Sequence, residues 1–363
     1  MRDAVLAHLE ALVGFDTRNP PRVIDTGGIF DYLRGQLPGF RVDVTDHGAG
    51  AVSMLAVRGT PSRVFNVHLD TVPSSDAWSA DPLRLRVEHD RAVGLGACDI
   101  KGAAAGLLAA AARTSGDAAF LFTTDEEAND ARCLKAFLAV DHGFREAIVA
   151  EPTRCEAVLA HRGISSALVR FAGQAGHASA ADAIQASAVH RAMRWGVAAL
   201  DHVASQSHHR FGGLTGLRFN IGTMAGGIKG NVIAPSAELR FNFRPLPSMS
   251  IDDLHARLRS LAGEGEIAMY EETFRGPPLP AGGLDGAERA RLAARDLADA
   301  LELPIGNAVD FWTEASLFSE AGLTTFVYGP GDIAQAHAAD EWVGIDQLER
   351  YAASIVRILG GEG

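Results

Sequence analysis

The stretch Val64-Phe-Asn-Val-His-Leu-Asp70 limits what this chain can become more than any other. A short apolar run bounded by polar breakers is the signature of a strand buried on both faces of a parallel sheet. At the C-terminal end of such a strand, side chains leave the core and can meet a ligand. Here that end carries His68 and Asp70, which alternate with apolar residues and so share one side of the strand. A histidine can bind a metal through one ring nitrogen while the other donates to an orienting carboxylate. A structural His–Asp pair is the competing reading of this strand taken alone.

The pattern recurs. The run 118–123 ends in Thr124-Asp-Glu-Glu127, the run 147–150 ends in Glu151-Pro152, and 324–328 leads through Gly329-Pro-Gly331 to His337. Between the first two strands, Gly94-Leu-Gly-Ala-Cys-Asp-Ile-Lys-Gly102 breaks the chain before the alanine-rich stretch 103–113. This stretch predicts a helix that packs closely against a sheet. Strands alternating with helices indicate an α/β fold with an at least partly parallel sheet.

The character changes near His161. Strands are expected at 165–172, 217–221 and 237–243, with helices over 183–202 and 251–261, which suggests a compact α+β insert. Gly276-Pro-Pro-Leu-Pro280 is a plausible return linker, followed by helices over 287–301 and 346–359. With 363 residues and roughly 150 per domain, two domains are expected. The division is 1–161 and 276–363 for an interrupted α/β domain, and 162–275 for the insert.

A net charge of −12, from 45 acidic and 33 basic residues, argues against a nucleic-acid partner. Cys98, Cys133 and Cys155 are too few and too scattered for a disulfide framework. The opening residues read as an amphipathic helix (Val5, Leu6, Leu9, Leu12, Val13) and not as a secretion signal. The longest apolar run, 103–112, is too short to span a membrane. A cytoplasmic protein with no membrane association is expected.

His68, Asp99, Glu127, Glu151 and His337 thus fall at one edge of one expected sheet. Each has a plainer reading: Asp99 as a helix cap, Glu126 and Glu127 as a solvated loop, Glu151 as the start of a turn. Two histidines with several carboxylates and no cysteine suit borderline divalent ions such as Zn²⁺, Co²⁺ or Mn²⁺. Two such ions need a bridging carboxylate, and they bring a bound water to a pKa of ~7. A carboxylate that is not a ligand must then move the proton. The adjacent Glu126 and Glu127 could divide these tasks, and their spacing alone does not say which does which.

These residues resemble a known family, the dinuclear zinc amidohydrolases that include acetylornithine deacetylase, succinyl-diaminopimelate desuccinylase, aminoacylase and glutamate carboxypeptidase. The matching segments are His68-Leu-Asp70 with Pro73, Gly96-Ala-Cys-Asp-Ile-Lys-Gly102, Thr124-Asp-Glu-Glu127, Glu151-Pro-Thr153, Gly173-Gln-Ala-Gly-His-Ala-Ser179, Gly226-Gly-Ile-Lys-Gly-Asn231 and Gly329-Pro-Gly331. They occur in family order and cover about residues 64 to 343. Leu95 and Ala128 depart from the Arg and Gly of many relatives.

The resemblance implies a catalytic domain with a mixed sheet flanked by helices, and an inserted, ferredoxin-like dimerisation domain. It implies one or two Zn²⁺ or Co²⁺ ions per subunit. His68 and Glu151 would hold one metal and Glu127 and His337 the other, with Asp99 bridging. Asp70 would orient His68, and Glu126 would be the general base and acid. His177 would reach the partner's active site in a homodimer, and Asn231 and Arg244 would bind the substrate's carboxylate or oxyanion. Thr313-Glu-Ala315 and Gln335-Ala-His-Ala-Ala-Asp-Glu341 are similar to the acetylornithine deacetylase branch. The compact length resembles its acetylcitrulline-specific members, so the implied substrate is an N-acetylated amino acid of arginine biosynthesis, N-acetyl-L-citrulline. N-acetyl-L-ornithine, or a desuccinylase or dipeptidase reaction, is the alternative.

Overall fold

The computed structural model describes residues 1–21 and 24–360. The chain divides into two compact units. One draws on Met1–Leu159, Ala290–Gly306 and Thr313–Gly363, the other on Ala160–Arg289 and Asn307–Trp312. One boundary falls inside the helix Gly283–Ala300, and a short return of the chain, Asn307–Trp312, belongs with the second unit.

The first unit is built on a six-stranded mixed sheet in the order Arg41–Asp46, Val52–Arg58, Ala118–Thr123, Arg63–His68, Glu146–Val149, Thr324–Val327. The last four strands are mutually parallel; Val52–Arg58 joins Ala118–Thr123 antiparallel, and Arg41–Asp46 in turn pairs antiparallel with Val52–Arg58. Arg63–His68 has a parallel neighbour on each side, and Val64, Phe65 and Val67 are buried, which accounts for its apolar composition. The ladder ends at His68. Leu69 donates its N–H to the Thr123 carbonyl at 2.7 Å, so Asp70 lies beyond the strand and is not placed by strand alternation.

The alanine-rich stretch forms the helix Gly102–Ala111, buried along its whole length. Its close neighbours are the helices Arg2–Val13 and Ile345–Ile358, so the tight approach expected against the sheet is made helix on helix. A Cβ at Gly106 would come within 2.6 Å of the Tyr351 ring, which is why the contact face is made of small residues. Val5, Leu9, Leu12 and Val13 form the buried side of the first helix, as its periodicity predicts. Among the described residues, no helix is long and apolar enough to cross a membrane.

The second unit holds a four-stranded antiparallel sheet in the order Arg218–Gly226, Ser236–Arg244, Ile164–Ala172, Ile267–Gly276. With the helices Ala188–Ser205 and Ile251–Arg259, the chain order is β-α-β-β-α-β, the ferredoxin-like arrangement. Trp195 packs at the centre of this core beside Phe171 and Phe241, and its indole N–H donates to the Leu258 carbonyl at 2.8 Å. Two features differ from expectation. The fourth strand, Ile267–Gly276, has register shifts at Ile267/Met269 and Glu272/Phe274, which spoil the alternation that would announce it. The helix expected over 183–202 is broken at Ser187. There the Ala186 carbonyl accepts from Gln174 N–H and Ala188 N–H donates to the Ala234 carbonyl, so tertiary bonds override helix propensity.

Candidate metal centre

His68 closes its strand, Glu126 and Glu127 follow the strand Ala118–Thr123, and Glu151 follows Glu146–Val149. His337 lies in the loop beyond Thr324–Val327. All four strands are parallel, so these residues gather at the C-terminal edge of the sheet. Asp99 comes from the irregular turn Ala97–Lys101, just before the buried helix.

The structure brings these side chains into two groups, His68–Asp99–Glu151 and Asp99–Glu127–His337, each with one ligand atom per residue within 4.8 Å of the others. Asp99 belongs to both. Its Oδ1 lies 3.1 Å from His68 Nε2, and its Oδ2 lies 3.2 Å from His337 Nε2. Glu151 Oε1 is 3.9 Å from His68 Nε2, and Glu127 Oε1 is 2.9 Å from His337 Nε2.

Further residues hold this arrangement. His68 Nδ1 faces the Asp70 main-chain carbonyl at 3.1 Å and the Asp70 carboxylate at 3.6 Å. The other oxygen of Asp70 accepts the Glu127 N–H at 3.0 Å, so Asp70 touches both groups. Glu341 accepts the N–H groups of Gly96, Cys98 and Asp99. The loop leading to His337 is tied to the loop after Glu151 by the Arg154–Asp332 ion pair and by Arg154 N–H donating to the Gly331 carbonyl at 2.7 Å. Gly329 and Gly331 permit this approach. A Cβ at Gly329 would lie 2.5 Å from the Glu151 carbonyl oxygen, and Gly331, at φ +93°, would place one 2.6 Å from Cys98 Sγ.

In the sequence, Glu341 stands out only as part of a motif, and Asp332 and Arg154 do not stand out at all. Their partners are backbone atoms or distant side chains that only the fold brings near. Glu314, known from sequence only as a branch marker, is buried, and its Oε2 accepts from Thr123 Oγ1 at 3.4 Å.

The charges of these groups act strongly on one another. Burial pushes Glu126 up to about 8, with Glu127, Asp70 and Asp99 adding to the push and His68 opposing it. Burial and the Asp99 carboxylate likewise drive Glu151 well above the carboxylate range. Burial would also raise Asp99, but hydrogen bonds from His337 and His68 outweigh it and hold the group low. Hydrogen bonds to Asp99 and Glu127 push His337 up to about 11. Burial would lower His68, yet hydrogen bonding and the charges of Asp99 and Glu151 leave it well above its ordinary value. Five carboxylates (Asp70, Asp99, Glu126, Glu127, Glu151) thus gather with two histidines in one cluster. Buried charges of one sign are stable when they are paired or coordinate metal, and imidazole with carboxylate is a donor set for divalent ions. The residues present fit such a pair of ions.

His177, Asn231 and Arg244 lie in the second unit. There the structure sets two exposed loops side by side. Ala178 N–H donates to the Asn231 carbonyl at 3.1 Å, and Ile233 N–H to the Gly176 carbonyl at 2.8 Å, so His177 and Asn231 are neighbours. The His177 Nδ1 pairs with Ser179 Oγ at 2.7 Å. Arg244 ends the strand Ser236–Arg244 and is half-buried. Its carbonyl is 3.4 Å from the fully buried Arg162, whose guanidinium also donates to the Thr215 and Gly216 carbonyls.

Fold and site together define a two-unit protein with a carboxylate-rich candidate dimetal centre. The profile of Peptidase family M20/M25/M40 matches residues 64–360, and the chain belongs to this family. It is 67% identical over 359 residues to the N-acetyl-L-citrulline deacetylase of Xanthomonas campestris pv. campestris, covering 99% of this chain and 98% of that one. It is 32% identical over 391 residues to the acetylornithine deacetylase of Myxococcus xanthus, covering 98% and 96%. The crystal structure of aminopeptidase PepT from Bacillus cereus shares the fold, with a TM-score of 0.72 at 18% identity, over 99% of this chain and 98% of that one.

Proposed function

We propose that the protein is a metal-dependent N-acyl-L-amino-acid deacetylase that hydrolyses N-acetyl-L-citrulline to L-citrulline and acetate in arginine biosynthesis. The substrate rests on one observation, the 67% identity across nearly the whole length of an enzyme of that name. The chemistry rests on two histidine–carboxylate groups that share Asp99, with the proton-holding Glu126 beside them.

In this reading His68 and Glu151 would hold one ion and Glu127 and His337 the other, with Asp99 available to both groups. Zn²⁺ or Co²⁺ bound there supplies Lewis acidity toward water and the amide carbonyl. Asp70 fixes the orientation of His68 through its carbonyl and carboxylate. Glu126 holds the proton taken from the attacking water and passes it to the leaving nitrogen. An elevated affinity for that proton suits the task. His177, Asn231 and Arg244 recognise the substrate carboxylate and the developing oxyanion, as donors of their types do. We assign the second unit (residues 162–275 in the sequence division) as the dimerisation domain of a cytoplasmic homodimer in which His177 serves the partner's site.

The test compares kcat/KM on N-acetyl-L-citrulline and N-acetyl-L-ornithine after stripping the metal and reconstituting with Zn²⁺ or Co²⁺. A neutral ureido group and a cationic amine demand different partners. A preference for the citrulline derivative of about tenfold or more, ~1.4 kcal/mol, is expected, with activity absent from the stripped protein. A preference for the ornithine derivative overturns the substrate, and full activity without metal overturns the chemistry.

A further inference from the structure

We infer that Glu341, which belongs to neither metal group, is the positioning residue that sets the shared carboxylate Asp99 for both groups at once. The inference rests on the metal-site reading above.

The strand Trp342–Gly344 pairs antiparallel with Arg91–Val93, placing Trp342 opposite Val93. One residue earlier, the Glu341 carbonyl accepts the Gly94 N–H at 3.0 Å and so extends this pairing toward the turn that carries Asp99. The side chain then reaches into that turn. Its Oε2 accepts from Gly96 N–H at 3.1 Å, and its Oε1 accepts from Cys98 N–H and Asp99 N–H, each at 2.9 Å. The residue is only 2% exposed. Successive amides converging on one anion form a concave nest, here filled by a carboxylate of the chain itself.

Two of those amides belong to Asp99 and the residue before it. Fixing them fixes the pivot from which Oδ1 faces His68 and Oδ2 faces His337. Glu341 follows His337 by four residues, so one loop delivers a candidate ligand and clamps the carboxylate shared by both groups. Glutamine in this place keeps a single acceptor oxygen and turns an NH₂ donor toward at least one of the three amides. Aspartate keeps both acceptors but is one methylene too short to reach all three.

The test titrates Zn²⁺ into metal-free wild-type protein, Glu341→Gln and Glu341→Asp by calorimetry. Alongside, the visible spectrum of each Co²⁺-loaded protein and the thermal midpoint of each metal-free protein are recorded. Affinity for both ions should fall about 10- to 100-fold in Glu341→Gln, the range seen when groups behind a ligand are removed, with a changed Co²⁺ spectrum. Glu341→Asp should show a smaller loss. A His337→Ala variant, by contrast, should weaken one ion only. Wild-type affinities and an unchanged spectrum in Glu341→Gln overturn the inference even if its metal-free midpoint drops, because Glu341 then supports the fold alone. Should Glu341→Gln not fold, wild-type affinities and an unchanged spectrum in Glu341→Asp overturn it equally. Wild-type protein that takes up no ion overturns the underlying reading, which is a distinguishable failure.

Discussion

Glu126, a partly buried carboxylate among other carboxylates, is pushed up to about 8, chiefly by burial. Its neighbour Glu127 has its Oε1 engaged by His337. The sequence Glu126-Glu127 could not assign two roles to two identical side chains, because the difference lies in what each one faces. Replacing Glu126 with Gln keeps the shape and removes the proposed proton carrier. We expect kcat to fall by about 10²- to 10⁴-fold while calorimetric metal stoichiometry is retained. Near-wild-type turnover would assign the proton transfers elsewhere. The grouping of His68, Asp99, Glu127, Glu151 and His337 was legible because each follows the end of a buried strand or precedes a buried helix. Glu341 was not legible, since its partners are amides of a turn some 240 residues earlier in the chain.

Among the elements, legibility followed burial. Parallel strands covered on both faces announce themselves as apolar runs, as Arg63–His68 and Ala118–Thr123 do. Ile267–Gly276 is half-exposed and bulged, so its alternation fails. Yet this strand completes a polar network within the second unit. His255, on the helix Ile251–Arg259, pairs through Nε2 with Ser165 Oγ at 2.8 Å and through Nδ1 with Tyr270 OH at 2.8 Å. Glu272 Oε1 lies 3.2 Å from the same Nε2, and the charges of Arg275 and Arg259 act against protonation of the ring. Burial pulls the His255 pKa down, outweighing the pull of Glu272. The unfolded chain therefore takes up this proton at a higher pH than the folded chain. Stability contributed by neutral His255 is present above about pH 6.5 and declines as the pH drops through and below that value. Replacing His255 with Asn should flatten the fall of the thermal midpoint between pH 7 and pH 5, measured on metal-free protein. An unchanged slope would show that other groups set the acid limit.

Across the whole molecule, what the sequence could not display is which apolar residues stay uncovered. On the helix Ala188–Ser205, Met193, Val197 and Leu200 recur at helical spacing and are each more than half exposed. Met224, on the edge strand Arg218–Gly226 of the same unit, and Ile228 just beyond it are exposed as well. Apolar side chains collected on a helix and an unpaired sheet edge mark an association surface. This supports the homodimer proposed above. Wild-type protein should sediment as a dimer of the 38.3 kDa chain, and a Val197→Glu/Leu200→Glu variant as a monomer. If His177 acts across the interface, that variant loses turnover and keeps its metal. A wild-type monomer with full activity would remove the dimer from the mechanism.

The first unit is closed by its own last segment. Its sheet gains the strand Thr324–Val327 only after the chain has passed through the second unit, and His337 and Glu341 come later still. A chain cut short before residue 324 lacks the helix Ile345–Ile358 that covers the buried helix Gly102–Ala111, and lacks His337 and Glu341 as well. Only a polypeptide extended past Glu341 presents both histidine–carboxylate groups together with the acceptor of the Asp99 turn, so a completed site would report that synthesis had run at least that far.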